Sequence, residues 1–387
     1  MRNDKDLARG RSVAIIGTRG YPSYYGGFET AVRKLAPYLA EQGWDVTVYG
    51  RPGSTRIDDP SIDERINIVT TKGVNNRSLS TLSFGLSSSV HALLHKPDVA
   101  LVMNVANGFW LPLLRARGIP SLVNVDGIEW QRAKWGRLAK GMFRWGARFT
   151  ARFGNELIFD AKAIEAFWNR EFGRDGTFIP YGGEPVGDLE LEDGLQTGEY
   201  VLMVARFVPE NTIAEFFEAA EELASAGIVV VIVGSTGSGG EFDELARSLD
   251  EKHPTIHWLG HVSDDRRLFA LWQHTAAYFH GHSVGGTNPA LVQAMACGAP
   301  VIARDTVYNR EVLGSCGVLV APEPNAIVAA ARELLEDRSL GLKLGAMARE
   351  RASTSYSWHT VCVDYERALS EILPEQRSPR AARGSHA

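Results

Sequence analysis

The chain has 387 residues, of which 44% are hydrophobic, and its formal net charge is −5. This length exceeds one ordinary hydrophobic core and predicts two globular domains. The negative charge argues against a general nucleic-acid binder, so we expect no nucleic-acid partner. The three cysteines, Cys297, Cys316 and Cys362, are far apart and odd in number. This spacing excludes a disulfide framework or a zinc motif and favours a reducing compartment.

The sequence contains no pattern that predicts a signal peptide or a membrane-spanning segment. The N-terminal residues 1–12 are charged and no apolar run of signal-peptide form follows them. No stretch of about 18 apolar residues occurs, so we expect no membrane span. We therefore predict a cytoplasmic protein whose last residues, 374–387, are disordered.

The N-terminal half alternates predicted strands and helices in the βαβ manner of a Rossmann-like domain. A helix is predicted over Phe28–Gln42, directly after Gly26 and Gly27, which allow close approach to the backbone. The glycines of this region do not fit G-x-G-x-x-G, which argues against an NAD-dependent enzyme. The predicted strands are Ser12–Gly17, Asp45–Tyr49, Ile66–Thr70, Val99–Asn104, Ser121–Val125 and Glu156–Phe159.

A turn-rich acidic stretch, Pro180–Leu195, predicts a linker to a second α/β series. In that series we expect Ser263 to cap a helix that includes Asp264 and Asp265. The expected fold class is α/β, with two Rossmann-like domains, 1–183 and 184–356, and a final helix, 357–373. The predicted strands are Tyr200–Val204, Val229–Gly234, Ile256–Leu259, Ala276–His280, Ala299–Ala303 and Gly317–Val320.

The stretch from His280 to Arg304 contains the strongest local signal for a ligand. A Gly-rich loop, Gly286–Asn288, ends at Pro289, and the helix Ala290–Cys297 is stopped by Gly298. Backbone N–H groups at such a helix N-terminus suit an anion such as a diphosphate. The alternative is an ordinary strand–loop–helix unit whose glycines serve only to turn the chain.

Three further positions are candidates for the chemistry of the site. Arg206 follows the first strand of the second series and could neutralise a phosphate, or it could form a surface ion pair with Glu210. Asp126 follows a strand in the first series, where open α/β sheets bind ligands, although a turn Asp is the alternative. His280 and His282 lack a third ligand in the sequence, so we expect no metal.

The segment 131–153 is strongly basic and aromatic. It has seven Lys or Arg residues and no acid, with Trp135, Phe143, Trp145 and Phe149 among its aromatic residues. Such a helix can lie on an anionic membrane surface, and it also suits an acidic or lipid-diphosphate acceptor. The alternative is a solvated helix whose aromatic side chains enter the core of the N-terminal domain.

Together these stretches resemble glycosyltransferases of GT-B fold, in the large retaining group called family 4. The stretches GTRGYPSYYGGFET, NVDGIEWQRAKW and HGHSVGGTNPALVQAMACGAPVIA are similar to the bacterial rhamnosyltransferase-like branch of that group. The resemblance extends from the N-terminus to the final helix, which in such enzymes crosses back to the N-terminal domain. It implies two domains that face each other across a cleft, with no cofactor and no divalent metal.

The resemblance also implies roles for individual residues. Arg206 and the backbone near Thr287 and Asn288 would meet the donor diphosphate, and Gln293 would contact the ribose. Backbone near His261 and Val262 would hold the base. The remaining positions that it assigns to substrate binding are Gly26, Gly27, Glu29, Asn211, Gly234, His282, Gly285 and Gly286.

Two departures from the family pattern matter. The wider family carries Glu-x7-Glu where this chain has Gly285 and Gln293, and the branch explains only the first change. A Gln offers one acceptor and one donor where a Glu accepts from two ribose hydroxyls, so we expect donor binding weaker by about tenfold. Deoxyribose lacks one of these hydroxyls, which favours dTDP over UDP. In addition, Asn211 stands where a basic residue is common.

The implied function is retaining, metal-independent transfer from a dTDP- or UDP-sugar to a cell-envelope polysaccharide or lipid-linked glycan, and rhamnosyl transfer is one form of it. Asp126 would orient or deprotonate the acceptor hydroxyl. Such an enzyme would work in the cytoplasm or at the inner face of the plasma membrane. The main alternative is a non-catalytic GT-B protein that binds nucleotide sugars. An epimerase would need further acids in the cleft, and a phosphorylase would need a lysine that holds pyridoxal phosphate. The sequence shows no signal for either.

Overall fold

The computed structural model describes residues 11–24, 26–55, 58–74, 80–132, 135–237 and 239–373. The chain forms two separate parallel sheets. The first has seven strands in the order β3-β2-β1-β4-β5-β6-β7. Its strands are β1 (Ser12–Ile16), β2 (Asp45–Gly50), β3 (Asn67–Thr70), β4 (Val99–Met103), β5 (Ser121–Asn124), β6 (Glu156–Phe159) and β7 (Thr177–Phe178).

Helices cover both faces of the first sheet, which explains why its central strands are continuously apolar. The strand β4 (VALVM) is buried along its whole length. One face packs against the first helix and the last helix of the chain, and the other packs against the remaining helices of this half. The helices of this half are α1 (Gly27–Glu41), α2 (Ser80–His95), α3 (Leu111–Ala116), α4 (Arg137–Phe153) and α5 (Lys162–Phe172).

The second sheet has six parallel strands in the order β10-β9-β8-β11-β12-β13. The strands are β8 (Tyr200–Val204), β9 (Val229–Val233), β10 (Ile256–Gly260), β11 (Ala277–His280), β12 (Val301–Arg304) and β13 (Gly317–Val320). The helices are α6 (Ile213–Ser225), α7 (Glu241–Lys252), α8 (Asp265–His274), α9 (Pro289–Cys297), α10 (Val307–Leu313), α11 (Pro324–Glu336) and α12 (Arg338–Ser355).

The last helix, α13 (Trp358–Glu371), returns to the first half of the chain. Tyr365 Oη accepts a hydrogen bond from Asn124 Nδ2 at 2.7 Å, and Glu366 accepts one from Trp44 Nε1 at 3.3 Å. Because these partners belong to the first sheet and its loops, the expected crossover helix is present. The predicted fold class is thereby confirmed, whereas the exact domain boundaries stay a prediction.

Some expectations about individual elements were wrong or incomplete. Asp264, not Ser263, caps α8, because its carboxylate accepts from the amides of Arg266 and Arg267. Two helices, α10 and α12, were not predicted. The segment 374–387, expected to be disordered, lies outside the described residues. No helix in the described part of the chain is long and apolar enough to cross a bilayer.

Candidate active site

The carboxyl ends of the two sheets meet at a seam between the halves of the chain. A Cβ built on Gly27, at the start of α1, would lie 3.3 Å from Pro289 Cγ at the start of α9. A Cβ built on Gly127 would lie 3.2 Å from the Cα of Gly285. Ligands bind at the carboxyl ends of strands in open α/β sheets, so this seam is the candidate site.

The helix α9 has the ends that its sequence predicts. Pro289 is its first residue, and Asn288 caps it by accepting a hydrogen bond from the amide of Ala290 at 2.9 Å. Gly298 ends the helix with a φ of 80°, a left-handed conformation that glycine adopts without a steric penalty. The positive end of this helix therefore points into the seam.

The loop before α9 is not wholly available to a ligand, contrary to expectation. The amide of Thr287 donates to the carbonyl oxygen of Asp160 at 3.1 Å, and the Thr287 hydroxyl donates to the same oxygen. The Asn288 side chain is used by its cap. A phosphate that binds this loop must therefore replace the Thr287 contact or use other groups.

Arg206 lies at the seam beside the same loop. The residue is exposed. The pKa of the His282 imidazole is lowered to about 3, by burial and then by the positive charges of Arg206 and Arg132. Arg206 is therefore near enough to His282, which precedes the loop, for its charge to act there.

Asn211 has a structural role that the sequence analysis did not predict. Its side-chain amide donates to the carbonyl oxygen of Arg206 at 2.9 Å, and the residue is buried. The hydrogen bond fixes the turn between β8 and α6. The expected role of Asn211 in donor binding has no support from this position, because its donor group faces the protein.

Gln293 also binds the protein rather than facing the seam. Its Oε1 accepts from the amide of Glu184 at 2.9 Å, and its Nε2 donates to the carbonyl of Glu184 at 3.1 Å. An amide side chain can satisfy both groups at once, whereas an ionised Glu could only accept. This contact with the linker explains Gln at the position, and the expected ribose contact is not supported.

Four other expected binding residues serve local structure or lie at the rim. Glu29 is buried and accepts a hydrogen bond from the amide of Arg19 at 3.1 Å. Gly234 must be glycine because a Cβ there would lie 1.8 Å from the carbonyl oxygen of Ala205. His261, just after β10, is exposed, and Val262 packs against the hydrophobic core of the second half of the chain.

Asp126 lies at the end of β5 in an unusual backbone conformation. Its φ is 60°, and Asn104, at the end of the neighbouring strand β4, has a φ of 71°. The amide of Asp126 donates to Asn124 Oδ1 at 2.9 Å, which holds this turn. Strained non-glycine residues at adjacent strand ends are typical of functional sites, which agrees with the position predicted for Asp126.

A buried charge cluster at the seam was not predicted. Arg132 Nε lies 2.7 Å from Glu129 Oε1, and the side chain of Arg132 is 15% exposed. Burial alone would lower the pKa of Arg132, but the charges of Asp126, Glu129, Glu210 and Asp160 outweigh it and raise that pKa. Asp160 directly follows a predicted strand, and this position is the one sequence signal that could have identified Asp160 as part of the cluster.

His280 and His282 form a neutral stacked pair. Their ring centroids are 4.3 Å apart, and Tyr278 Oη lies 3.0 Å from His280 Nδ1. Burial and the neighbouring His282 lower the pKa of His280 well below its usual value. Across the described ranges, no group of three or more His, Cys, Asp or Glu residues is arranged to hold a metal ion.

Two family models match the chain, one for each half. The model described as Glycosyl transferase 4-like domain matches residues 26–182, and the model described as Glycosyl transferases group 1 matches residues 193–351. The first match spans most of the seven-stranded sheet, and the second spans the whole six-stranded sheet. No curated protein sequence matches the chain.

Solved structures of similar fold cover nearly the whole chain. Sucrose-phosphate synthase from Thermosynechococcus elongatus has a TM-score of 0.77 and 19% identity, over 94% of this chain and 99% of that one. TarM from S. aureus has a TM-score of 0.73 and 10% identity, over 93% and 99%. HepE from Anabaena has a TM-score of 0.70 and 16% identity, over 94% and 100%. The family matches and the shared fold identify the chain as a GT-B glycosyltransferase of the family 4 type.

Proposed function

We propose that the protein transfers a hexose from a UDP- or dTDP-sugar to a cell-envelope polysaccharide or a lipid-linked glycan. Transfer would proceed with retention at the anomeric carbon and without a divalent metal. The observation that carries the proposal is the approach of Gly27 to Pro289, with Arg206 beside the same loop. This arrangement combines a helix N-terminus, a guanidinium and a glycine at the start of α1, which together suit a diphosphate.

The reaction would break the bond between the anomeric carbon and the diphosphate oxygen, and the bonding electron pair would leave with the diphosphate. The acceptor oxygen would bond to the same face of that carbon, and its proton would pass to a phosphate oxygen. Arg206 and the N-terminus of α9 would stabilise the charge that develops on the leaving group. Asp126, at the end of β5, would orient the acceptor hydroxyl or accept its proton first.

The proposed donor follows from structural neighbours rather than from the sequence. HepE has been solved with UDP and with UDP-glucose, and a trehalose-phosphate synthase from Burkholderia xenovorans is described as UDP-forming. These neighbours favour a UDP-sugar. The sequence argument for dTDP assumed that Gln293 faces the ribose, and its contact with Glu184 removes that basis. Rhamnosyl transfer rests on the resemblance of the loop motifs alone.

A screen of nucleotide sugars tests this function. Melting temperatures would be measured with UDP-glucose, UDP-galactose, dTDP-rhamnose and GDP-mannose, because a ligand that binds only the native fold raises them. Release of the nucleoside diphosphate would then be followed, with and without glycan acceptors. Binding without release or transfer would favour the non-catalytic alternative. A wild-type protein that binds none of these donors would contradict the proposal.

We also propose that the outer face of α4 contacts an anionic membrane. The helix begins at Arg137 rather than at Gln131, and its aromatic side chains divide between the core and the solvent. Phe143 is buried, whereas Leu138 is 91% exposed and Trp145 is 55% exposed. Arg144, Arg148 and Arg152 lie on the same exposed face. Such a combination of apolar and basic side chains suits a bilayer of anionic lipids.

A second helix extends this surface. The helix α2 exposes Leu86, Val90 and Leu94, which are spaced four residues apart and therefore lie on one side of the helix. Both α2 and α4 pack against α3 and the 3-10 helix before it, Val105–Trp110, on the same face of the first sheet. The exposed apolar side chains of the two helices therefore belong to one side of the protein, where a lipid-linked acceptor would arrive.

A further inference from the structure

The loop before α9 carries two adjacent glycines, and side chains from the other half of the chain fill the space beside both. A Cβ built on Gly286 would lie 2.0 Å from Asp160 Oδ1 and 2.4 Å from Asp160 Oδ2. A Cβ built on Gly285 would lie 3.9 Å from Arg132 Nη2. The loop therefore has no side chain of its own at these positions, and a carboxyl group from the end of β6 occupies that space.

The carboxyl group of Asp160 is buried without a full set of partners. The residue is 1% exposed, and its Oδ1 has no hydrogen-bond partner among the described residues. A buried acceptor without a partner costs about 1–3 kcal/mol, so its presence calls for an explanation. The nearby Arg132 compensates part of the charge but is shared with Asp126, Glu129 and Glu210.

The chemistry of this group suits a sugar hydroxyl. Burial, and then the charge of Asp126, raise the pKa of Asp160 well above its usual value, which favours the neutral acid. A neutral carboxylic acid both donates and accepts hydrogen bonds, as a sugar hydroxyl does. Asp160 also follows a strand of the first sheet, so it lies at the edge where ligands bind.

We propose that Asp160 binds a hydroxyl group of the transferred sugar and supplies, from the opposite half of the chain, the polar group that the glycine loop lacks. The inference rests on the proposed function, since it assumes a nucleotide-sugar donor in the seam. Thr287 binds the carbonyl oxygen of Asp160, and the carboxyl group of Asp160 is buried in this structure. A sugar would therefore reach it only after the contact with Thr287 opens.

The test compares nucleotides with and without the sugar. Calorimetric affinities for UDP, UDP-glucose, dTDP and dTDP-rhamnose would be measured for the wild type, Asp160→Ala and a control, Asp265→Ala. Asp265 pairs with Arg33 across the same seam at 3.2 Å but is solvent-exposed. In Asp160→Ala, which has neither a donor nor an acceptor, we expect nucleotide-sugar affinity to fall about 10- to 100-fold, with nucleotide affinity changed less than about threefold. The control should change neither.

A second variant covers the case in which Asp160→Ala does not fold. Asp160→Asn has the shape of the acid and keeps a donor and an acceptor, so it should fold and keep most of the nucleotide-sugar affinity. Deoxy analogues of the bound nucleotide sugar give an independent readout. Removal of the contacted hydroxyl should weaken binding to the wild type and have no further effect in Asp160→Ala.

The outcomes separate this inference from the proposed function. Equal losses for nucleotide and nucleotide sugar in Asp160→Ala, or no loss, would overturn the role of Asp160 while the donor site stands. A structural role alone would weaken every deoxy analogue to the same degree. A wild-type protein that binds none of the four probes would instead remove the proposed function itself.

Discussion

The amide of Thr287 donates a hydrogen bond to the carbonyl oxygen of Asp160, with 3.1 Å between the nitrogen and the oxygen. Thr287 precedes α9 in the second half of the chain, and Asp160 follows β6 in the first. Close by, the carboxylate of Glu311 accepts from the amides of Lys162 at 2.9 Å and Ala163 at 3.4 Å. Thr287 and Glu311 therefore both hold the β6–α5 corner to the second half of the chain. The Thr287 amide is one of the groups proposed to bind the donor phosphate.

Weakening this corner should favour donor binding. Glu311→Gln removes the charge that caps the N-terminus of α5, an interaction worth about 0.3–1 kcal/mol. If donor binding must open the Thr287 contact, the apparent affinity for UDP should rise about two- to fivefold. Calorimetry with Glu336→Gln, an exposed acid at the end of α11, as the control would measure this. A lower affinity in Glu311→Gln would mean that the closed corner is part of the binding-competent state.

Replacing Gln293 by Glu should loosen the linker. A buried carboxylate would face the carbonyl oxygen of Glu184 and lose one hydrogen bond, at a cost of about 1–3 kcal/mol. Because the folded state then favours the protonated acid, its pKa in the folded state is raised above the unfolded value. The loss should therefore be present at neutral pH, shrink as the pH falls through the folded pKa, and be absent below the unfolded pKa. Chemical denaturation at pH 7 and pH 4 would measure it.

The control for this variant is Glu184→Ala, which keeps both backbone contacts with Gln293 and removes only the ion pair with Lys34. Such a partly exposed pair contributes about 0–1 kcal/mol, so at most a small change is expected at pH 7. Equal stability of Gln293→Glu and the wild type at pH 7 would show that the Glu184 contact does not hold the linker.

Acidification should destabilise the protein through the histidine pair. The pKa of His282 is lowered to about 3 in the folded state, while a His in the unfolded chain titrates at about 6.5. Between these values the unfolded state binds more protons, so stability falls by about 1.4 kcal/mol per pH unit for this group as the pH decreases. Urea denaturation from pH 7 to 5 should show the slope, and His282→Gln should reduce it. An unchanged slope in the variant would assign the acid sensitivity to other groups.

Asp126→Asn should lower turnover far more than donor affinity. If the carboxylate orients or deprotonates the acceptor hydroxyl, its loss should reduce kcat by about 10²- to 10⁴-fold, the range of general acid–base effects. Donor affinity should change less than threefold by calorimetry, because the donor phosphates would bind on the opposite side of the seam. Unchanged turnover would leave Asp126 with the structural role of a strained turn.

Removing charge and apolar surface from α4 should weaken membrane binding. Liposomes with 30 mol% phosphatidylglycerol would be sedimented with the wild type, Arg144→Gln/Arg148→Gln and Trp145→Ala. Each basic residue near an anionic surface contributes about 1 kcal/mol, so the double variant should bind roughly 10- to 30-fold more weakly. Arg266→Gln/Lys343→Gln removes the same charge from exposed positions of the second half and should have little effect. Equal liposome binding by all variants would exclude the outer face of α4 as a membrane-binding surface.

Local signals in the sequence were sufficient for the architecture. Pro289 and Gly298 mark the ends of α9 because proline fits the first helical turn and glycine adopts the left-handed conformation that ends a helix. Apolar runs such as VALVM predict strands covered on both faces, and the alternation of strands and helices implies parallel sheets. Where two capping residues stood together, as with Ser263 and Asp264, the sequence could not decide between them.

The roles of the site residues were harder to predict from the sequence than the architecture was. The places of Gly26 and Gly27 at the start of α1 and of Arg206 just after β8 follow from local features of the sequence, whereas their roles in binding stay a prediction. The roles of Gln293, Asn211 and Thr287 were not, since their donor groups bind backbone atoms that the sequence alone does not bring near. Thr287 and Asp160 are 127 positions apart in the chain, and Gln293 and Glu184 are 109 apart.

By itself, therefore, the amino-acid order determined two parallel α/β sheets, a helix N-terminus directed at their carboxyl ends, and a crossover helix. Only the tertiary structure decided which polar groups remain free for a ligand. The physical reason is that hydrogen-bonding capacity is finite. When the two halves dock, the linker and the β6–α5 corner use the Gln293 side chain and the Thr287 amide, and the carboxyl group of Asp160 remains beside the glycine loop.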